Sequence, residues 1–350
     1  MKKVFLILLA IVLAMSMVVV GCPEPVEQEE EEEEEPEVIT LSFANFPPAP
    51  TFPCVSMFDW AEKVEERTDG QVVVECFPGS TLLSPPAMFD GVAAGVADIG
   101  CTCPSYEPGR FPLIVGMETP EVLYPGAEVA SQVLWEACET IGYEVTGLTD
   151  WKVVTLYTAG LNHLCTIDKV ETLEDLAGME IRCSGAVVPI VEALGAVPVD
   201  LPQSEVPEAL AKGTIQGYVS SDDVLKDFAF AEIVNYRTDW SPSIGCSFAV
   251  VMNWDSWNAL PADVQQVIDD LALEHSIWTG EYLDAHCEVA LTWAIDEHGL
   301  EVVTLSPEEK ARWDAAIEPV TAAWLANMEA EGLPGQEWLD LLAELSELYS

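Results

Sequence analysis

Residues 173–185 place one arginine, Arg182, in a short apolar strand that follows a helix and a glycine turn. The chain has 61 acidic residues against 13 basic ones, so a guanidinium between Ile181 and Cys183 needs an explanation. Its planar fork is well suited to bind a carboxylate through two parallel hydrogen bonds. An internal ion pair with a nearby Asp or Glu is the alternative, and the residues alone leave both interpretations open.

Catalytic motifs are missing from the sequence. It contains no nucleophile elbow, no glycine-rich phosphate loop and no histidine cluster with zinc-ligand spacing. Carboxylate pairs are frequent only because acidic residues are frequent, so none stands out for general acid–base chemistry. The histidines are scattered, at His163, His275, His286 and His298. We therefore predict a binding protein that is not an enzyme, that uses no cofactor and that has no metal-ligating residues of its own, while the sequence leaves open whether a metal ion bridges ligand and protein.

The overall charge excludes two classes of partner. A formal net charge of −48 does not fit a nucleic-acid-binding protein or one that binds anionic membrane surfaces, because both need a basic face. An anionic ligand would have to be bound by a local exception to this field. That requirement again points to Arg182.

The first 21 residues have the pattern of an export signal. A positive start at 1–3 precedes an apolar stretch over 4–20. The stretch is close to membrane-spanning length, so a transmembrane anchor is the alternative. The pair Gly21-Cys22 resembles the cleavage site of a bacterial lipoprotein, in which Cys22 receives the lipid. This resemblance implies an extracytoplasmic protein held by lipid to the cell membrane, in the periplasm or on the outer face of the cytoplasmic membrane.

Residues 22–37 form an acidic segment with an unbroken glutamate run at 29–35. Such a block repels itself and cannot bury apolar surface, which predicts a disordered tether. Nine further cysteines follow, an odd number in mostly apolar contexts. They favour buried free thiols over a disulfide framework.

Strand and helix patterns alternate in the rest of the chain, which indicates an α/β fold with parallel sheets covered on both faces. Its roughly 310 residues exceed one comfortable core, so we expect two lobes. The predicted strands are 39–44, 72–77, 97–101, 144–148, 153–158, 179–183, 215–219, 246–253 and 301–305. The predicted helices are 56–67, 86–94, 127–141, 187–194 and 205–212.

A much longer helix is predicted between Pro261 and His298, where Gly280 is the only helix breaker after the first turn. Pro261 suits the start of a helix. A continuous helix of this length would extend about 50 Å, which exceeds one lobe. We expect it to brace both lobes or to bend at Gly280.

A series of short motifs makes the chain resemble the DctP family, the substrate-binding proteins of TRAP transporters. Residues 58–70 match the first helix of the family and its Thr-x-Gly end, and 176–182 match its central signature. The other matching segments, in the family's order, are 74–80, 95–100, 109–112, 194–199, 205–210, 213–217 and 253–265. Each segment is common alone, but their order and spacing together are specific.

The resemblance implies a two-lobed, periplasmic-binding-protein-like α/β fold with crossing strands and a long helix that spans both lobes. The first lobe is expected to combine residues 38–158 with 248–285. The second lobe is expected to combine 159–247 with 286–350, including the C-terminal helices. A ligand would be captured in the cleft between them.

The resemblance also implies a set of cleft residues. The family's near-invariant arginine aligns with Arg182, where it would bind a carboxylate. An asparagine that often assists it is Ser220 here, and the second arginine of sugar-acid binders aligns with Asn162, which argues against a sialic-acid-like ligand. The other implied cleft positions, for which packing or turn roles are alternatives, are Asn45, Cys103, Gln203 and Trp240. This weakly polar set favours a monocarboxylate with an apolar body.

The implied function is capture of an organic acid and its delivery to a TRAP permease with small and large membrane subunits. The alternative is an extracytoplasmic receptor that reports the ligand to a sensor protein. Binding chemistry would be the same in both cases, and neither involves nucleic acid.

Overall fold

The computed structural model describes residues 38–350; the predicted signal, Cys22 and the whole predicted tether at 22–37 lie outside them. The strands in this range are β1 (Ile39–Asn45), β2 (Val72–Phe77), β3 (Ile99–Thr102), β4 (Lys152–Thr158), β5 (His163–Thr166), β6 (Glu180–Cys183), β7 (Val197–Asp200), β8 (Gly217–Ser220), β9 (Tyr236–Thr238), β10 (Ser247–Met252) and β11 (Glu301–Val303).

The α-helices in the same range are α1 (Phe52–Arg67), α2 (Met88–Ala93), α3 (Pro112–Gly116), α4 (Ala127–Ile141), α5 (Tyr143–Thr146), α6 (Leu173–Leu176), α7 (Val187–Ala193), α8 (Val206–Lys212), α9 (Val224–Asp227), α10 (Trp254–Ala259), α11 (Ala262–His298), α12 (Pro307–Glu331) and α13 (Gly335–Tyr349). Short 3₁₀ turns lie at Pro85–Ala87, Pro104–Tyr106, Gln203–Glu205 and Phe230–Glu232. None of the helices between residues 38 and 350 is both long and apolar enough to cross a membrane.

The first sheet has five strands in the order β2-β1-β3-β10-β4. Strand β1 runs parallel to β2 and β3, whereas β10 is antiparallel to β3 and β4. A large core that includes Phe43, Trp60 and Trp151 packs around it. We call this sheet and its core the first lobe.

The second sheet has six strands in the order β11-β9-β5-β8-β6-β7. Strand β6 is parallel to β7 and β8, and β5 is antiparallel to β8 and β9. Leu164 and Val219 contribute to one hydrophobic cluster, while Cys165 and Tyr218 contribute to another. Because successive strand residues point to opposite faces, both faces of this sheet are covered. We call this sheet and its two clusters the second lobe.

Two adjacent connections cross between the lobes, residues 159–162 from β4 to β5 and residues 239–246 from β9 to β10. The backbone N–H of Asn162 donates to the carbonyl of Ser243 at 3.0 Å, and that of Gly245 donates to Gly160 at 2.7 Å. The crossing strands implied by the family resemblance are therefore confirmed. They also explain why the expectation of parallel sheets is only partly right: both sheets contain parallel pairs, but the crossings introduce antiparallel pairs into each.

The long helix is present as α11, with 37 residues and a length of about 55 Å. It ends at Gly299 in the left-handed conformation. It packs against α1, α4 and β4 in the first lobe and against α9 in the second. The prediction that it braces both lobes is confirmed.

Gly280 lies where α11 meets the start of α4. A Cβ atom on Gly280 would lie 2.5 Å from the carbonyl oxygen of Ala127 and 2.5 Å from the Cα of Glu128. Because both atoms belong to the backbone, they cannot move aside as a side chain could. Glycine at this position allows the two helices to approach closely, and α11 continues through it without interruption.

The C-terminal helices contact both lobes, although the sequence assigned them to the second. Trp313 and Ile317 of α12 belong to a second-lobe cluster, but Met328 near its end belongs to the first-lobe core. Trp338 and Leu342 of α13 are buried in that same core, where α13 packs against α4. The chain thus returns to the first lobe after β11.

Most predicted elements are present, with one clear error. The predicted strand at 144–148 is the short helix α5, which lies between Gly142 and Gly147, both with positive φ angles. Strands β5, β7 and β9 were not predicted. They have only three or four residues each.

Candidate functional site

Arg182 lies in β6, between the parallel strands β7 and β8. The residue is only 3% exposed. Its Nε donates to the carbonyl of Leu201 at 2.9 Å, and Nη2 lies 3.5 Å from Oγ of Ser184. No carboxylate among residues 38–350 forms an ion pair with it, so the ion-pair alternative is not supported.

Arg237 in β9 provides a comparison within the same lobe. It is also buried, but Asp222 accepts hydrogen bonds from its Nε at 3.1 Å and its Nη2 at 2.9 Å. Asp239 accepts from its Nη1 at 3.0 Å. Burial lowers the pKa of Arg237, but the Asp222 carboxylate outweighs this and the net pKa is raised. Asp222 and Asp239 therefore neutralise the buried Arg237, whereas no acid of residues 38–350 pairs with Arg182.

The Arg182 side chain faces a cavity of about 50 Å³ between the lobes. This is room for about four water molecules, so the lobes leave little free space over the site. The first-lobe residues around it include Phe46, Phe52, Tyr106, Glu118 and Phe248. The second-lobe residues include Arg182, Ser184, Gln203, Val219, Ser220, Asp223 and Phe228.

Aromatic rings form the first-lobe wall of this cavity. The rings of Phe46 and Phe248 are stacked with centroids 6.3 Å apart, and Phe52 meets Phe248 edge-on at 5.3 Å. Tyr106 packs edge-on against Phe46 at 5.5 Å. Such mutual contacts fix the rings in place, which produces a preformed apolar surface for a ligand.

Four of the predicted site residues line the cavity together: Arg182, Ser220, Gln203 and Asn162. Nδ2 of Asn162 donates to the carbonyl of Ile244 at 2.8 Å and to Oγ of Ser243 at 3.1 Å. It therefore also holds the crossing strands together. Nε2 of Gln203 is buried with no hydrogen-bond partner in residues 38–350.

Three other predicted site residues do not line the cavity. Asn45 is fully buried, and its amide donates to the carbonyl of Pro53 while accepting from the N–H of Phe46. It shapes the turn that carries Phe46. Cys103 lies behind the wall, with its Sγ 3.4 Å from Sγ of Cys246, which does line the cavity.

Trp240 is the third. Its ring packs edge-on against Trp313 at 5.0 Å, and its Nε1 donates to Asp314 at 2.9 Å. Both partners belong to α12, so Trp240 fills the second-lobe core and offers no platform for a ligand. The alternative role of core packing is the one that the structure supports.

Two buried acids in the cavity were not predicted. Burial raises the pKa of Glu118 to about 8, and burial together with the neighbouring Asp227 raises the pKa of Asp223 to about 7. A signal for Glu118 existed in the sequence, because it directly follows the apolar run at 111–117. Acidic side chains are almost never fully buried unless they are paired, so an acid next to an apolar run is a candidate functional residue.

The nine cysteines in residues 38–350 are all free thiols. Burial raises the pKa of Cys54 to about 12 and that of Cys76 to about 11. These thiols therefore behave as small apolar side chains. In the described part of the chain, no group of three or more His, Cys, Asp or Glu side chains could hold a metal ion.

The family profile described as "Bacterial extracellular solute-binding protein, family 7", or DctP, matches residues 50–327. The chain belongs to this family. The resemblance to TRAP-transporter binding proteins is thereby confirmed, as is the two-lobed binding-protein fold. Proteins of the DctP family bind solutes and are not enzymes, and the same holds for this protein.

Several relatives of this DctP-family protein have known structures or names. It is 41% identical to a TRAP periplasmic solute-binding protein from Desulfovibrio salexigens, with a TM-score of 0.78 and coverage of 89% and 97% of the two chains. It is 30% identical to a marine metagenome TRAP solute-binding protein specific for aromatic acid ligands, crystallised with 3-hydroxybenzoate, with a TM-score of 0.84 and coverage of 89% and 99%. It is also 26% identical to the C4-dicarboxylate-binding periplasmic protein DctP of Rhodobacter capsulatus, over 84% of this chain and 88% of that protein.

Proposed function

We propose that this protein captures a monocarboxylate with an aromatic or similarly apolar body, holds its carboxylate on Arg182, and delivers it to a TRAP permease. The observation that carries the proposal is the buried guanidinium of Arg182, which has no acidic partner in residues 38–350. A bound carboxylate would supply that partner.

The energetic reason is the cost of burying a charge. Removing a cation from water costs several kcal/mol unless an anion and hydrogen bonds compensate. Leu201 and Ser184 satisfy part of the guanidinium, but no carboxylate of residues 38–350 forms an ion pair with it. Arg237 lies in the same sheet as Arg182, and the carboxylate of Asp222 balances its charge. The imbalance at Arg182 is therefore a property of the cleft and not of the lobe as a whole.

The cavity lining favours one carboxylate over two. Arg182 is the only basic residue among the side chains that line it in the described part of the chain. The second carboxylate of a dicarboxylate would instead meet the acids Glu118 and Asp223. The aromatic wall fits an apolar ligand body, and the metagenome relative is specific for aromatic acids.

Calorimetric titration with benzoate, 3-hydroxybenzoate and succinate would test the proposal. We expect the wild-type protein to bind at least one aromatic acid more tightly than succinate. Arg182→Ala should weaken that binding by roughly thirty- to several-thousand-fold, because it removes one partner of a buried charge pair worth about 2–5 kcal/mol.

The matched control is Arg312→Ala, which removes one positive charge from the second-lobe surface, where Arg312 pairs with Glu174. Its affinity should equal that of the wild type. Equal affinities of Arg182→Ala and the wild type would show that the carboxylate is held elsewhere. If Arg182→Ala is unfolded, Arg182→Lys provides the same comparison with the charge retained and the fork removed.

We further propose that the protein is attached to the membrane through lipid on Cys22. The support is the Gly21-Cys22 pair after the apolar stretch at 4–20. After expression in a bacterial host, the protein should partition into the detergent phase. Mass spectrometry should show the added mass of a diacylglyceryl group on Cys22. Cys22→Ser should remain in the aqueous phase. Aqueous partition of both forms would contradict the anchor without affecting the binding proposal.

A further inference from the structure

Glu118 lies on the first-lobe side of the cavity, two residues after α3, and is 1% exposed. Its Oε1 accepts a hydrogen bond of 3.0 Å from the backbone N–H of Ser247, at the start of β10. Its Oε2 is buried with no hydrogen-bond partner in residues 38–350. No basic side chain of these residues forms an ion pair with either oxygen.

The position of this carboxyl group is fixed by close packing against the second lobe. A Cβ atom on Gly185 would lie 2.6 Å from Oε2 of Glu118 and 2.7 Å from the Cβ of Ser105. Gly185 also has a φ of +58°, which favours glycine. The carboxyl therefore packs on the backbone of the segment that follows Arg182, where it cannot easily turn away.

The cavity thus presents more than one unsatisfied polar group. Besides the guanidinium, both Oε2 of Glu118 and Nε2 of Gln203 are buried and unpartnered in the described residues. Leaving a buried polar atom without a partner costs about 1–3 kcal/mol. A benzoate-like carboxylate can satisfy Arg182 and Gln203. It has no second polar group to offer Glu118.

We infer that Glu118 is a specificity-determining residue whose Oε2 bonds a hydroxyl or keto oxygen on the ligand body, so that the site selects hydroxy- or oxo-monocarboxylates. This inference rests on the proposed function, because it assumes that the ligand carboxylate is held on Arg182.

The ionisation of Glu118 is compatible with this role. Burial raises its pKa to about 8, an effect only partly offset by the hydrogen bond from Ser247 and by the nearby N–H group of Ala186, which forms no hydrogen bond of normal geometry with the carboxyl. At neutral pH the group is then mainly a carboxylic acid, which can donate to a keto oxygen or accept from a hydroxyl. In that form it does not repel the ligand's carboxylate. A dicarboxylate gains nothing from it, because its second anionic group would lose water without finding a cation.

The test compares matched ligand pairs that differ by one oxygen: benzoate with 3-hydroxybenzoate and with 4-hydroxybenzoate, and phenylacetate with mandelate. We expect the wild type at pH 7 to prefer the hydroxylated member of at least one pair by roughly 5- to 150-fold. Glu118→Leu should reduce that ratio to near one, because the hydroxylated acid loses more affinity than its parent acid does. Glu118→Gln should keep most of the preference, because its amide can also donate and accept.

Each outcome separates this inference from the function on which it rests. If the wild type binds none of these acids, both the proposed function and the inference are wrong. If the wild type binds them through Arg182 but shows no preference within any pair, only the inference is wrong. The same conclusion follows if Glu118→Leu weakens both members of the preferred pair equally. Thermal unfolding checks that Glu118→Leu is folded. If it is not, Glu118→Ala replaces it in the same comparison. Loss of the preference in folded Glu118→Ala would support the inference, and a retained preference would overturn it.

Discussion

The backbone N–H of Phe52 donates a hydrogen bond of 3.0 Å to Oδ2 of Asp227. A carboxylate of the second lobe therefore caps the first turn of α1 in the first lobe, where the N-cap residue Thr51 provides no side-chain cap. The other oxygen of Asp227 lies 2.7 Å from Nε2 of His286 on α11. This contact joins the two lobes at the edge of the cavity that Phe52 lines.

Asp227→Ala should weaken ligand binding although Asp227 does not line the cavity. Loss of a cap costs about 1 kcal/mol, which corresponds to about a fivefold lower affinity if the cap forms only when the lobes are together. Small-angle scattering of the ligand-free variant should also show a larger radius of gyration. The control is Asp175→Ala, which removes a cap of α6 within the second lobe. It should lower stability and leave affinity unchanged, and an unchanged affinity in Asp227→Ala would contradict a role in closure.

Glu118→Gln should change how stability depends on pH. The pKa of Glu118 rises from 4.5 to about 8 on burial, so the folded protein holds this proton more tightly than the unfolded chain does. Stability is then fully retained below pH 4.5, falls as pH rises towards 8 and is constant above it. The total loss is on the order of 5 kcal/mol.

Urea unfolding of the wild type and Glu118→Gln at pH 5 and pH 9 measures this effect. Asp223 shares the cavity and, with its pKa raised to about 7, adds a similar decline to both proteins. The difference between the two proteins therefore isolates Glu118. The variant should gain stability relative to the wild type at the higher pH. Parallel pH dependences would show that Glu118 is ionised in the folded state at neutral pH.

Trp240→Phe should reduce stability without affecting ligand affinity. The substitution keeps an aromatic ring against Trp313 but removes the hydrogen bond from Nε1 to Asp314. We expect a loss of about 1 kcal/mol, measured by chemical unfolding. Phe248→Leu, in the cavity wall, is the contrasting variant and should weaken binding of an aromatic acid. A large affinity loss in Trp240→Phe would restore this residue to the binding site.

Gly280→Ala should destabilise the protein even though alanine is the better helix former. Helix propensity alone predicts a gain of about 1 kcal/mol, but the new methyl group would overlap the backbone of α4 at Ala127 and Glu128. Overpacking of this kind costs about 1–3 kcal/mol or more, so the melting temperature should fall. The control is Ala285→Gly at an exposed position of the same helix. Its change in melting temperature reports the difference in helix propensity between alanine and glycine without a packing contribution. A higher melting temperature for Gly280→Ala would mean that α11 and α4 can move apart to accommodate the methyl group without loss of stability.

The sequence was most informative where a motif and a physical conflict coincided. Arg182 stood out because a cation in an apolar strand is costly, and the family signature around it agreed with that interpretation. The long helix α11 was predictable because 37 residues contain a single helix breaker. Both signals are local in the chain.

Other parts of the site could not be predicted because they depend on contacts between distant residues. Glu118 is bonded by Ser247, 129 positions away, and its packing on Gly185 exists only once the lobes meet. The family resemblance implied cleft positions for Trp240 and Asn45, but it could not show which way each side chain turns. Similarly, nothing local in α13 indicates that its apolar face covers the first lobe.

The depth at which Arg182 lies affects how quickly a ligand is caught. The chain carries a formal net charge of −48, whereas this guanidinium is 3% exposed. A diffusing anion is therefore repelled at long range and attracted only after it has entered the gap between the lobes. Salt screens the repulsion between the ligand anion and the protein's negative charge, whose range is about 10 Å at 0.1 M salt. It hardly weakens the buried contact between the ligand and Arg182. Uptake by this protein should thus become faster as the surroundings become more saline, the reverse of electrostatically steered encounters.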